Sequence, residues 1–182
     1  MLSDKDRVRK AGTDLLGRIE RAMSKADWTG LLELADMLPR APRVFVTGAG
    51  RSGLVARSFG MRLMHAGLTA HIPGETTTPA VGKDDLLVAI STTGQTGFTV
   101  YLAQRAKQFG AKVVLLSAET ESPLADLADK VVVIPALDED IVIRAAVFEH
   151  AASLCLDAVF NVLAEFLKVD SESFRQHHAN LE

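Results

Sequence analysis

Two stretches constrain the fold more than anything else in the chain: RVFVTGAGRSG at 43–53 and DLLVAISTTGQTG at 85–97. Each is an apolar run that breaks into a loop of glycines and hydroxyls, and each loop opens a helical pattern. A run of Val, Leu and Ile without polar alternation is a strand covered on both faces. Strands of that kind alternating with helices give a parallel sheet in a doubly wound α/β domain. The rest of the chain fits that frame. Helical spacing runs over 4–24 through Val8, Ala11, Leu15, Leu16, Ile19, Ala22 and Met23. A second helix starts at Asp27 or Thr29 and reaches Leu38, where Pro39 stops it. Strands are predicted at 43–47, 70–72, 84–91, 112–118 and 130–135. Helices are predicted at 52–66, 96–109, 122–128 (a short one, SPLADLA) and 142–168.

The expected organisation is a single domain over 1–182. N-terminal helices occupy 1–40, a five-stranded α/β core 43–135, a long C-terminal helix 141–168 and a tail 169–182. The long helix is apolar on more than one face, through Val147, Phe148, Ala151, Leu154, Val159, Phe160, Leu163, Phe166 and Leu167. Either it carries an oligomer contact or it is wedged between the sheet and the N-terminal helices.

Composition removes several function classes. The net charge of −3 and the lack of a basic block argue against non-specific binding of nucleic acid or anionic membrane. Arg144, Glu149, His150 and Asp157 interrupt the longest apolar segment, so no membrane span is expected. The charged start, MLSDKDRVRK, does not read as a secretory signal. Cys155 is the single cysteine, which excludes an internal disulfide and suits a reducing compartment; a cytoplasmic location is expected.

The chemistry lies in the two loops. Gly48, Gly50 and Gly53 fit the Gly-x-Gly-x-x-Gly of a dinucleotide turn. A dinucleotide site also wants an acidic residue at the end of the second strand, and Glu75 lies beyond Pro73 and Gly74 instead. With one Trp and one Tyr, the chain lacks the aromatic flanks of a flavin site. In a flavodoxin-like strand order, 2-1-3-4-5, the first and third strands are neighbours and both loops face one crevice. There they present backbone N–H groups and hydroxyls at helix N-termini, which favour an anion. A single phosphate held by Ser52, Ser91, Thr93 and Thr96 fits better than a nucleotide. Arg51 either lies beside that ligand or pairs with an acidic neighbour.

GAGRSG, STTGQTG, GETTTPA and the terminal HANLE together resemble the sugar isomerase (SIS) family, and within it the 6-phospho-3-hexuloisomerases. The resemblance spans nearly the whole chain. It implies interconversion of 3-hexulose 6-phosphate and fructose 6-phosphate, in formaldehyde fixation by the ribulose monophosphate route or in reverse. It further implies a homotetramer with sites near subunit contacts, 3-hexulose-6-phosphate synthase as functional partner, and no metal or organic cofactor. Gly50, Arg51, Ser52, Ser91, Thr93, Gln95 and Thr96 become the phosphate loops. Gln95 stands where the family usually has Glu, so it takes no acid–base role.

The isomerisation moves a carbonyl from carbon three to carbon two through an enediol, which one carboxylate can serve. The resemblance places that base at Glu149, in VFEHA. A carboxylate in an apolar segment costs free energy unless it is paired or used. Glu149 could equally sit on a wet face or pair with Arg144. His65 is either a proton shuttle or a helix-terminal histidine. Glu75 and Thr76 either bind sugar hydroxyls or form a turn. His150 reads as structural. His177, His178 and the HANLE end either trail in solvent or fold over a neighbouring site. Two alternatives remain: a SIS isomerase of the sedoheptulose 7-phosphate or arabinose 5-phosphate type, and a non-catalytic sugar-phosphate sensor. A sensor of this kind usually carries a DNA-binding helix-turn-helix, and none is visible here.

Overall fold

The structure is a computed structural model that describes residues 3–178 and 180. It opens with α1 (Asp4–Ser24), capped by Ser3, whose side chain accepts from the Asp6 amide. Asp27 caps α2 (Trp28–Met37) in the same way through the Gly30 amide. Pro39 then tightens the chain into a single 3-10 turn over Leu38–Arg40. The alternating part follows: β1 (Val44–Gly48), α3 (Gly50–His65), β2 (Ala70–His71), β3 (Leu86–Ile90), α4 (Gly97–Gln108), β4 (Lys112–Ser117) and β5 (Lys130–Val133). The long helix α5 (Ile141–Leu167) and the short α6 (Ser171–Gln176) end it.

All strand pairings are parallel, and the order is β2-β1-β3-β4-β5, as the sequence predicts. Side chains alternate across each strand, so the sheet has two apolar faces. One buries Val44, Val46, Val88, Ile90, Val114 and Leu116 beneath α1, α2, α3 and α5. The other buries Phe45, Leu87, Ala89, Val113 and Leu115 beneath Ala103 and Ala106 of α4. At the amino ends of β1 and β3, Arg43 grips the buried Asp85 with two hydrogen bonds of 3.1 and 2.6 Å. That fork ties the start of one loop-bearing strand to the start of the other.

The long helix is wedged. It packs against α1, α2 and α3 and buries Phe148, Cys155, Leu156 and Leu163. Ile141, Val142, Leu154 and Phe166 stay exposed. Its length and apolar composition would suit a membrane span, but more than half of its most apolar stretch is buried inside the protein. Here it is a core helix. Burial pushes the Cys155 thiol up to about 11, so it packs as an inert apolar side chain.

Two local expectations change. The segment SPLADLA forms turns, not a helix. A single turn does not recover the nucleation cost of a helix, and here the Leu124 amide is drawn to Gly94 O at 3.1 Å. The turn thereby braces the second glycine loop. The tail contains a helix the sequence did not suggest: Asp170 caps α6 by accepting from the Ser173 amide at 2.7 Å. Ala179, Leu181 and Glu182 of HANLE lie outside the described residues.

Candidate functional site

The register of β1 on β3 builds the site. Gly48 lies opposite Ile90, so the two strands end level. Ala49 and Ser91 therefore leave neighbouring strands side by side, about 4.8 Å apart as sheet geometry dictates. The loops that follow converge on a cavity of about 230 Å³ lined by Ala49, Ser52, Ser91, Thr93, Thr96 and Arg144. Three helices begin around it: Ser52 of α3, Thr96 just before α4 and Ile141 of α5 lie in its wall. Among the described residues no side chain caps α3 or α4, so their leading amides stay available to an anion. The first turn of α5 differs, because Asp140 accepts from Val142 and Ile143.

The loop residues divide the labour. Gly50 holds a φ of +56°, the left-handed conformation that lets the chain turn into α3. Ser52 and Ser91 are buried in the wall. The Ser91 hydroxyl also accepts from the Gly94 amide at 3.1 Å, fixing the second loop. Thr93 accepts more weakly from the Gln95 amide at 3.4 Å. Gln95 itself is exposed and absent from the cavity wall.

Glu149 sits one turn beyond Ala145, a cavity-lining residue on the same stripe of α5. Its side chain is 9% exposed, and Arg51 Nε lies 2.5 Å from its Oε2. The open alternatives for both residues thus resolve into one contact: Arg51 of the first loop meets Glu149, and Arg144 pairs with Glu119 instead. The Arg51 contact is an ion pair by distance without hydrogen-bond alignment. Glu149 Oε2 therefore has no hydrogen-bond donor among the described residues. A buried carboxylate oxygen of that kind, charge-compensated and close to a hydroxyl-lined cavity, is placed to accept a proton from a ligand.

Other expected residues stand apart. Glu75 pairs with Arg57 and borders a separate cavity of about 240 Å³ together with Phe45 and Arg105. Thr76 is exposed in the same turn, which Thr78 closes by donating to Ile72 O at 2.6 Å. His150 is exposed. His65 ends α3, thirteen residues after Ser52, which is roughly 20 Å along the helix. Within this chain it does not reach the cavity.

His65 instead receives the tail. Its ring stacks on His178 at 5.0 Å and tilts against Phe174 at 4.7 Å. It is buried, and its Nδ1 has no hydrogen-bond partner among the described residues. Burial first, then the neighbouring His178, Arg62 and His177, lower its pKa from 6.5. A lowered pKa means that the undocked state binds the proton more readily. The docking of α6 is then fully supported above pH 6.5 and is lost as pH falls through the folded value. Amides of α6, corrected for intrinsic exchange, should lose protection between about pH 7.5 and about pH 5.5. A His65→Phe variant, which keeps a ring in place, should show no such dependence. Equal protection at both pH values in the wild type would refute the docking account.

Sequence reasoning missed Arg144 as part of the wall. The available signal was a cation in the first turn of a helix that follows a parallel strand, where it faces the carboxyl edge of the sheet. The docked tail had no comparable signal, since His178 meets His65 only after α3 and α5 are packed.

Comparison with known proteins agrees with this fold. The 3-hexulose-6-phosphate isomerase of Mycobacterium gastri is 42% identical over 166 residues, covering 87% of this chain and 83% of its own. That of Bacillus subtilis is 39% identical over 158 residues, covering 82% and 85%. A crystal structure from Methanococcus jannaschii, whose inferred function is 3-hexulose-6-phosphate isomerase, shares 29% identity with a TM-score of 0.82. It covers 97% of this chain and 99% of its own. The SIS domain model matches residues 37–160, from the end of α2 well into α5. The chain belongs to the SIS domain family.

Proposed function

We propose that the chain is an isomerase that interconverts 3-hexulose 6-phosphate and fructose 6-phosphate. The single observation that carries the reading is the Glu149 carboxylate, buried one helical turn from the cavity wall and held by an arginine of the phosphate loop. The names of the Mycobacterium gastri and Bacillus subtilis relatives supply the substrate pair.

In this reading the phosphate occupies the cavity, between the amides of α3 and α4 and the hydroxyls of Ser52, Ser91, Thr93 and Thr96. Glu149 takes the proton from carbon two, which leaves an enediolate across carbons two and three. The same carboxylic acid returns the proton to carbon three. The hydroxyl proton on carbon two moves to the oxygen on carbon three, and the carbonyl now stands at carbon two. Arg51, already beside Glu149, offsets the charge that develops on the enediolate oxygen. No step needs a metal or an organic cofactor.

The exposed apolar side chains of α5, Ile141, Val142, Leu154 and Phe166, support a homo-oligomer, a tetramer by resemblance. In such an assembly His65, Glu75 and Thr76 would act only on a neighbouring subunit's cavity, where His65 is the candidate proton shuttle. A cytoplasmic site of action, with 3-hexulose-6-phosphate synthase as functional partner, completes the proposal. The test is a coupled assay with 3-hexulose 6-phosphate as sole substrate and fructose 6-phosphate as the detected product. Steady turnover is expected. A folded protein that binds inorganic phosphate yet forms no product would overturn the reading.

A further inference from the structure

Among the described residues, Arg144 is the one charged side chain in the wall of the phosphate cavity. Arg51, the cation the sequence suggests, is engaged by Glu149 and absent from the wall. Arg144 is the fourth residue of α5, so it projects from the first turn of the third helix that starts at this edge. Its Nη2 pairs with Glu119, on the loop after β4. Its Nε is buried and has no hydrogen-bond partner among the described residues. A guanidinium offers N–H donors along more than one edge and grips a tetrahedral oxyanion better than a point charge does. Here one edge is spent on a carboxylate and a buried donor is left unspent, on a residue that borders a cavity of hydroxyls and free amides.

We propose that Arg144 is a direct ligand of the substrate's phosphoryl group, and that Glu119 holds its guanidinium in place while moderating its charge. The proposal rests on the reading of this cavity as the phosphate site. It assigns the phosphate a cation that the glycine loops do not supply. It also gives Glu119 a role opposite in sign to that of Arg144. The pair positions the arginine before the ligand arrives, so little side-chain freedom is lost on binding. Phosphate and Glu119 then compete for one positive charge.

A merely structural pair, pinning the loop after β4 to α5, predicts something different. Either half removed would then lower the melting temperature alike and leave phosphate affinity alone. The experiment is a calorimetric titration of the wild-type chain, Arg144→Met, Arg144→Lys and Glu119→Gln with inorganic phosphate, beside their melting temperatures. Arg144→Met should weaken phosphate roughly 10- to 100-fold, the range for a lost charge-assisted hydrogen bond. Arg144→Lys should recover part of that loss. Glu119→Gln should bind phosphate at least as tightly as the wild type, because the competing charge is gone. In turnover the loss in Arg144→Met should appear in KM. Equal affinity in the wild type and Arg144→Met, or equal weakening in Arg144→Met and Glu119→Gln, would overturn the proposal. If Arg144→Met does not fold, the opposed responses of Arg144→Lys and Glu119→Gln decide it. Phosphate titration needs no isomerase activity. A chain that behaves as expected here but fails the coupled assay therefore keeps Arg144 as a phosphate ligand and loses the proposed reaction.

Discussion

Glu149→Gln should lower turnover about 10³-fold, within the range measured for a positioned general base, while leaving the affinity for inorganic phosphate within about threefold of the wild type. The separation follows from the geometry. The phosphate is held by the loops after β1 and β3, whereas Glu149 lies one turn further along α5. Gln keeps the shape of Glu but takes no proton, so the enediol does not form from either sugar. Exchange of the carbon-three hydrogen of fructose 6-phosphate with solvent should stop together with turnover, since one carboxylate serves both half-reactions. The substitution also releases Arg51 from its 2.5 Å contact. A guanidinium freed beside the anion site holds phosphate no more weakly than before, which is why the binding arm is expected to survive. Turnover of Glu149→Gln close to that of the wild type would remove Glu149 from the mechanism. The sensor alternative predicts a different result, no turnover in either protein and phosphate binding unchanged by the substitution.

The parts of this site that were legible in the sequence are those set by local rules. Val44–Gly48 and Leu86–Ile90 are apolar runs, and the glycines and hydroxyls after them permit only a loop into a helix. The parallel pairing of β1 with β3 belongs to the flavodoxin-like order, 2-1-3-4-5, which the sheet adopts. Ser52, Ser91, Thr93 and Thr96 therefore meet as expected. Contacts between distant segments were less legible. Arg51 had two open readings until α5 placed Glu149 beside it. Arg144 was seen only as a possible partner of Glu149, yet the loop after β4 brings Glu119 to it instead. The periodicity of SPLADLA was real, but the tie from Leu124 to Gly94 won over it. Glu75 and Thr76 form an exposed turn held by Arg57, apart from the cavity.

Gly48→Ala is expected to damage the first loop severely, costing about 2–4 kcal/mol of stability and weakening phosphate binding more than tenfold. A Cβ at Gly48 would lie 2.7 Å from Ser52 O, 2.8 Å from Ser52 C and 3.0 Å from Gly53 N. All three are backbone atoms, so no side chain can rotate away; the first turn of α3 must move. A Cβ at Gly53 would in turn lie 2.9 Å from Gly48 O, so the end of β1 and the start of α3 touch through two bare backbones. Any shift there carries Ser52 out of the cavity wall and tilts the α3 amides away from the anion. Gly50→Ala makes the informative comparison. Its Cβ would meet nothing within 4 Å, and only the φ of +56° opposes it, at about 1–2 kcal/mol. Urea midpoints should thus fall further for Gly48→Ala than for Gly50→Ala, and phosphate affinity should follow the same order. The reverse order would mean that the pattern of glycines serves backbone conformation alone, and that the close packing of β1 on α3 does not position the phosphate site.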